Sequence, residues 1–142
     1  MRVKYVAVTV LIAFIGIFGY YDLRILSAPS PNFTVSGPSS LSSQSNCSNT
    51  YSGMVCQNIT IPFQITVTPM GGYKGTVMVF TIDEGSSSYS VSCSPSSILL
   101  SGEASTSCQI TTAGIPGSSW NTHMRATDGT TSHDISIPVT VT

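Results

Sequence analysis

The sequence predicts an all-β domain, a two-layer sandwich of about seven short strands, behind one apolar N-terminal helix. Three observations carry this. A charge-free run opens the chain at residues 5–21, and apolar–polar alternation of period two recurs through the rest of its length. Turn residues break that alternation every 8–12 residues or so, and no helical period is present after residue 26. A small barrel is the structural alternative.

The N-terminal run, YVAVTVLIAFIGIFGYY, comes after Arg2 and Lys4 and ends at Asp22. As a helix it would span about 26 Å, a little short of a hydrocarbon core of about 30 Å. Leu23, Ile25 and Leu26 extend it if Asp22 and Arg24 snorkel. Tyr5, Tyr20 and Tyr21 suit the two membrane boundaries, and the positive-inside rule leaves the N-terminus cytoplasmic and the rest outside. A cleaved signal peptide is the rival reading, in which case the protein is secreted. On either reading residues 27–142 are exported, with residues 27–31 (SAPSP) as an extended stalk.

Composition narrows the exported part further. Only 8% of the chain is charged, and 42 of its 142 residues are serine or threonine. Lys74 and Arg125 stand against Asp83, Glu84, Glu103, Asp128 and Asp134, a net −3 with no basic footprint for nucleic acid. Two histidines and six carboxylates leave little material for catalysis. No catalytic residue, cofactor or metal site is expected.

The strands can be taken in order. Residues 32–36 (NFTVS) begin the alternation, and residues 37–51 read as a Ser/Asn-rich loop. Residues 58–68 are the clearest strand, with Ile59, Ile61, Phe63, Ile65 and Val67 on one face and Thr60, Pro62, Gln64, Thr66 and Thr68 on the other. Pro62 predicts an edge position or a bulge there. A turn over 69–75 leads to residues 76–82 (TVMVFTI), apolar on both faces as a covered strand would be. Shorter strands are expected over 89–93, 98–100 and 104–112.

The last hairpin can be set in register. With a two-residue turn at Asp128-Gly129, Trp120 pairs with Ile137, Thr122 with Ile135 and Met124 with His133 on one face. Asn121–Ser136, His123–Asp134 and Arg125–Ser132 fall on the other. This makes His123–Asp134 a solvent-facing cross-strand pair rather than part of a metal site with His133 and Asp128. A Ser–His–Asp triad lacks a nucleophile elbow, and Asp83-Glu84 reads as a solvated loop pair more readily than a calcium site.

Several motifs together resemble the immunoglobulin-like modules of exported archaeal and bacterial surface proteins. These are FTVSGPSSLS, the turn Gly71-Gly72-Tyr73-Lys74-Gly75, the corner Ser94-Pro95-Ser96-Ser97, and Pro116-Gly117 before the penultimate strand. The resemblance covers roughly residues 32–142 and implies a Greek-key immunoglobulin-like sandwich, with a role in surface structure or protein contact. Its motifs are turn chemistry and imply no activity. The chain departs from the pattern in having one module rather than a tandem array. It also has an inserted segment between Cys47 and Cys56, and all four cysteines precede Trp120.

Four cysteines in an exported domain imply two disulfides, with three connectivities open. Cys47–Cys56 with Cys93–Cys108 is favoured, because the first closes the Ser/Asn loop and the second ties two strands across the Ser-Pro-Ser-Ser corner. Asn32, Asn46 and Asn58 head formal glycosylation sequons, only a modest excess for so hydroxyl-rich a chain, and Asn32, near the stalk, is the favoured one. Trp120 and Tyr89 read as core or rim packing before a sugar-stacking platform.

Three roles fit these features. The first is a single-pass envelope protein displaying one such domain to protein partners. The second is an accessory subunit of a larger membrane complex. In the third, a surface fibre assembles by strand exchange through residues 32–36. Carbohydrate binding is a fourth possibility, which glycan arrays with a Trp120→Ala control would test.

Overall fold

The computed structural model describes residues 32–83 and 88–142. The expected anchor, stalk and Glu84 lie outside them. The described chain is all β, with eleven strands: β1 (Asn32–Ser36), β2 (Leu41–Ser43), β3 (Cys47–Thr50), β4 (Gly53–Cys56), β5 (Ile59–Met70), β6 (Gly75–Thr81), β7 (Tyr89–Ser94), β8 (Ser97–Leu100), β9 (Ala104–Thr112), β10 (Ser119–Thr127) and β11 (Ser132–Val141). One sheet has the order β1-β5-β9-β7, a second the order β2-β11-β10-β6-β8, and β3-β4 is a separate hairpin.

The two larger sheets enclose one core because their period-two patterns present apolar side chains to each other. Phe33, Ile61, Phe63, Ile65, Val67 and Ile110 come from the first sheet, and Val77, Val79, Leu100, Met124, Ile137 and Val139 from the second. All are under 10% exposed. The alternation read in β5 is present in full, with Thr60, Pro62 and Gln64 facing solvent. Polar groups that enter this core are satisfied. The Thr106 hydroxyl donates to the Pro95 carbonyl, and the Thr112 hydroxyl donates to the Ser88 carbonyl at 3.1 Å.

Pro62 lies in a strand with neighbours on both sides, yet its own stretch is an edge. β9 pairs with residues 59–67 of β5, whereas β1 covers only residues 66–70. The missing N–H therefore costs no ladder bond on the uncovered side, and it blunts an open edge against foreign strands.

Four expectations are corrected. First, residues 37–51 are not all loop. β2 forms there by pairing in parallel with Val139–Val141 of β11, and β3 forms by pairing with β4. Both are created by partners far along the chain or across a disulfide, so local pattern could not show them. Second, β5 runs on to Met70, and the tight turn is confined to Gly71–Lys74, where Gly71 and Gly72 adopt φ of 58° and 74°.

Third, β6 is not covered on both faces. Val77 and Val79 are buried, but Met78 and Phe80 are 48% and 41% exposed. Fourth, the last hairpin is shifted by two residues. Thr127 pairs with Ser132 and Trp120 with Val139, around a four-residue turn. Asp128 accounts for the longer loop, since its Oδ1 accepts from the Thr130 and Thr131 amides at 2.8 and 2.7 Å. A shift of two preserves every side chain's face, which is why the expected inward set is retained.

Candidate functional site

Both disulfides join residues that face each other directly across antiparallel strands, Cys47 to Cys56 in the β3–β4 hairpin and Cys93 to Cys108 between β7 and β9. The favoured pairing is the one present. The second bond lies within one sheet, because the Ser-Pro-Ser-Ser corner carries β8 across to the other sheet before β9 returns.

The charged groups that the sequence gathers near the last turn have separate duties. Arg125, not His123, pairs with Asp134, through Nε at 2.7 Å and Nη2 at 2.8 Å. His123 faces Ser136 instead, and its backbone amide donates to Asp83 at 2.6 Å. His133 is half-buried edge-on to Phe33, with Nε2 3.2 Å from the Asn32 side-chain oxygen. Among the described residues no group of three His, Cys, Asp or Glu side chains is placed to hold a metal.

Asp128 organises its end of the sandwich. Besides the two amides it accepts the Thr130 hydroxyl at 2.8 Å, and its Oδ2 accepts the Tyr73 hydroxyl at 2.9 Å. It thereby links the β10–β11 turn to the Gly71–Lys74 turn. The Thr131 and Thr130 amides and the Thr130 hydroxyl hold its carboxyl well below the usual carboxylate range. A carboxyl depressed in the folded state stabilises above its unfolded pKa of about 4, and that contribution is lost as pH falls below it. We therefore expect the urea midpoint of the protein to drop between pH 5 and 2, and Asp128→Asn to be less stable at pH 7 with a flatter acid limb. Parallel pH curves for the two proteins would remove Asp128 from this role.

The opposite end is built differently. Ile59 pairs with Thr112 there, and Tyr89 also pairs with Thr112. The rings of Tyr89 and Trp120 stack with centroids 5.0 Å apart and 22° between planes. Each ring is pinned by its polar atom: the Trp120 indole N–H donates to the buried Thr122 hydroxyl at 3.1 Å, and the Tyr89 hydroxyl donates to Asp83 at 2.8 Å. Burial, then the hydrogen bond to Asp83, pushes the Tyr89 phenol up to about 12. The pair thus caps the core, in line with the packing reading.

Trp120 and Tyr89 also form part of the lining of an open cleft of about 460 Å³, together with Thr112, Ala113, Ile115, Ser118 and Ser119. A second cleft of about 360 Å³ shares Tyr89, Thr112 and Ala113 and extends past Ser90 and Thr111 to Asn58. The β3–β4 hairpin flanks this end, where Met54 and Cys56 line an open cleft of about 320 Å³ with Ala113 and Ile115. Gly114 fixes the crossing. Its φ is +64°, and a Cβ there would stand 2.8 Å from the Gln57 carbonyl oxygen, so only glycine fits. The sequence offers one signal of the clefts, Trp120 beside a Pro-Gly loop, but Tyr89, Thr112 and Asn58 are brought there only by strand pairing.

The sequons differ in presentation. The Asn46 amide nitrogen, the atom a glycan would take, donates to Gln57 at 2.9 Å, and the Asn32 oxygen accepts the Phe33 amide at 2.7 Å. Asn58 is exposed between β4 and β5.

Charge is also segregated. The strands β1, β5, β7 and β9 contain no Asp, Glu, Lys, Arg or His, and their outer face is Ser, Thr, Gln and Pro, with Asn32 and exposed Met70 at one end. The other sheet bears Arg125, His123 and Asp134, beside exposed Met78, Phe80 and Leu99.

No family model matches the chain, and no curated protein matches it. Solved structures that are similar in part include two surface-layer protein structures. One is the crystal structure of domains 4 and 5 of the S-layer protein SbsC, with 21% identity and a TM-score of 0.47, covering 79% of this chain and 53% of that one. The other is surface layer protein SbsC, domains 1–6, with 17% identity and a TM-score of 0.44, covering 80% of this chain and 14% of that one. The chain therefore spans about half of the first and a seventh of the second.

Proposed function

We propose that the chain is an extracytoplasmic structural or interaction protein of the cell envelope, held by residues 1–26 and presenting one disulfide-stapled immunoglobulin-like domain. The observation that carries this reading is the pair of disulfides, each between facing residues of neighbouring strands. Such bonds persist in oxidising, extracytoplasmic settings, and the sequence places them behind an apolar export or anchor segment. The strand orders support the immunoglobulin-like part. β1-β5-β9-β7 corresponds to an A-B-E-D sheet and β11-β10-β6 to a G-F-C sheet, with β2 added beside β11 and β8 beyond β6. The proposed role is non-catalytic, with protein partners in the envelope and no nucleic acid. Asn58 is the sequon best presented for a glycan.

A second reading, the strand-exchange fibre, is favoured by β1. It is a five-residue edge strand held by β5, and its Phe33 is fully buried in the core. The same short strand supplied by a neighbour would fill the same slot.

The test is the native mass of the C-terminally tagged protein, extracted from its own membrane in mild detergent. A lone chain retaining residues 1–21 is expected. A ladder of its own multiples lacking those residues would make it the fibre subunit. A defined particle with other chains would instead make it an accessory subunit of a membrane complex.

A further inference from the structure

We propose that the two adjoining clefts beside Tyr89 form one binding groove for a neutral oligosaccharide. The proposal does not depend on how the chain is anchored. The clefts share Ser88, Tyr89, Thr112 and Ala113, so they adjoin, and their linings run from Asn58 to Trp120. Their volumes, about 460 and 360 Å³, suit a ligand of two or three sugar rings rather than a macromolecular face.

The chemistry of the walls selects the class of ligand. Among the described residues none that lines the clefts is charged, so neither an anionic nor a cationic ligand finds an ion-pair partner among them. Apolar ring surface from Trp120 and Tyr89 and the Ile115 side chain suits the C–H face of a sugar. Hydroxyls along the wall, including Ser90, Thr111 and Ser119, offer the donor–acceptor pairs that sugar hydroxyls need.

The floor is also preorganised. The stacked rings are held at their polar atoms by Thr122 and Asp83, so neither has to be ordered on binding. Ile115 is 54% exposed and makes the apolar rim. The groove lies at the Ile59 end of β5, whereas Asn32 pairs with Met70 at the other end, about 36 Å away along the strand.

Trp120 is the only tryptophan in the sequence, so its fluorescence reports on this site alone. The full chain, in a detergent without a sugar headgroup, would be applied to an array of neutral and acidic glycans. The best neutral binder would then be titrated against Trp120 emission and by calorimetry. Saturable binding of neutral oligosaccharides is expected. Ile115→Glu, which adds a charge at an exposed rim position, should weaken it at least about tenfold, while Leu99→Glu on the other sheet's outer face should leave it unchanged. Circular dichroism confirms that both variants fold. An array that is blank or binds only acidic glycans, or an Ile115→Glu protein that binds like the wild type, would overturn the proposal.

Discussion

Replacing Phe33 with alanine is expected to destabilise the domain by about 3–5 kcal/mol, the range for truncating a buried phenylalanine. The whole of a small domain's stability is only about 5–15 kcal/mol, so this one change is expected to remove a large share of it. Phe33 is 0% exposed, tilted against the Tyr73 ring at 5.4 Å and edge-on to His133 at 5.0 Å. Its strand is five residues long and pairs with β5 alone. Losing the ring therefore opens a cavity and releases the strand that covers residues 66–70 of β5. Thr34→Ala, one residue on and exposed, should cost less than about 0.5 kcal/mol. Thermal or urea unfolding of the two variants measures the contrast. Similar values for both would mean that β1 is not a core strand. The same experiment bears on the fibre reading, because a domain that keeps its stability without Phe33 has no slot for a neighbour's strand to fill.

The two disulfides are expected to differ in worth despite similar loop lengths. In the chain-entropy model, a loop closed over a sequence separation of 15, as in Cys93–Cys108, contributes about 3 kcal/mol. The separation of 9 in Cys47–Cys56 gives only slightly less by the same arithmetic. Their settings are not equal. Cys108 is 3% exposed within the core, and Cys93 packs against that core from β7, an edge strand hydrogen-bonded to β9 alone. Cys47 and Cys56 sit in a two-stranded hairpin whose Tyr51, Met54 and Val55 are all exposed. We expect Cys93→Ala/Cys108→Ala to cost about 3 kcal/mol in global unfolding, and Cys47→Ala/Cys56→Ala to cost under about 1 kcal/mol while releasing the hairpin locally. Urea unfolding gives the global term, and amide exchange in residues 47–56 gives the local one. Equal global losses would show that the hairpin unfolds with the sandwich rather than ahead of it.

Much of the domain is legible in the sequence. The alternation in residues 58–68 identifies the buried face of β5 correctly, because a strand with one wet face must place its apolar side chains on alternate positions. The favoured cysteine pairing is present for two reasons: Cys47 and Cys56 bracket one hairpin turn, whereas Cys93 and Cys108 meet because β7 and β9 are neighbours in one sheet, with β8 and two turns between them. The His123–Asp134 pair fails because register depends on turn geometry. Asp128, by accepting two amides and a hydroxyl from Thr130 and Thr131, converts an expected two-residue turn into a four-residue one. The exposed Met78 and Phe80 are missed because an apolar run looks the same whether its outer face is covered or bare.

What the sequence determined by itself is the all-β class, the inward set of the long strands, the four cysteines that make up two disulfides and the near absence of charge. Each comes from periodicity, proximity along the chain or composition, which are local or additive properties. Tertiary structure alone decided that β2 exists beside Val139–Val141, that Arg125 and not His123 meets Asp134, and that Tyr89 and Thr112 border one cleft with Trp120 and an adjoining one with Asn58. Those residues are scattered along the chain and meet only through the long-range pairings of β5, β7, β9 and β10. Side-chain periodicity records which face a residue takes, but not which distant strand will lie beside it.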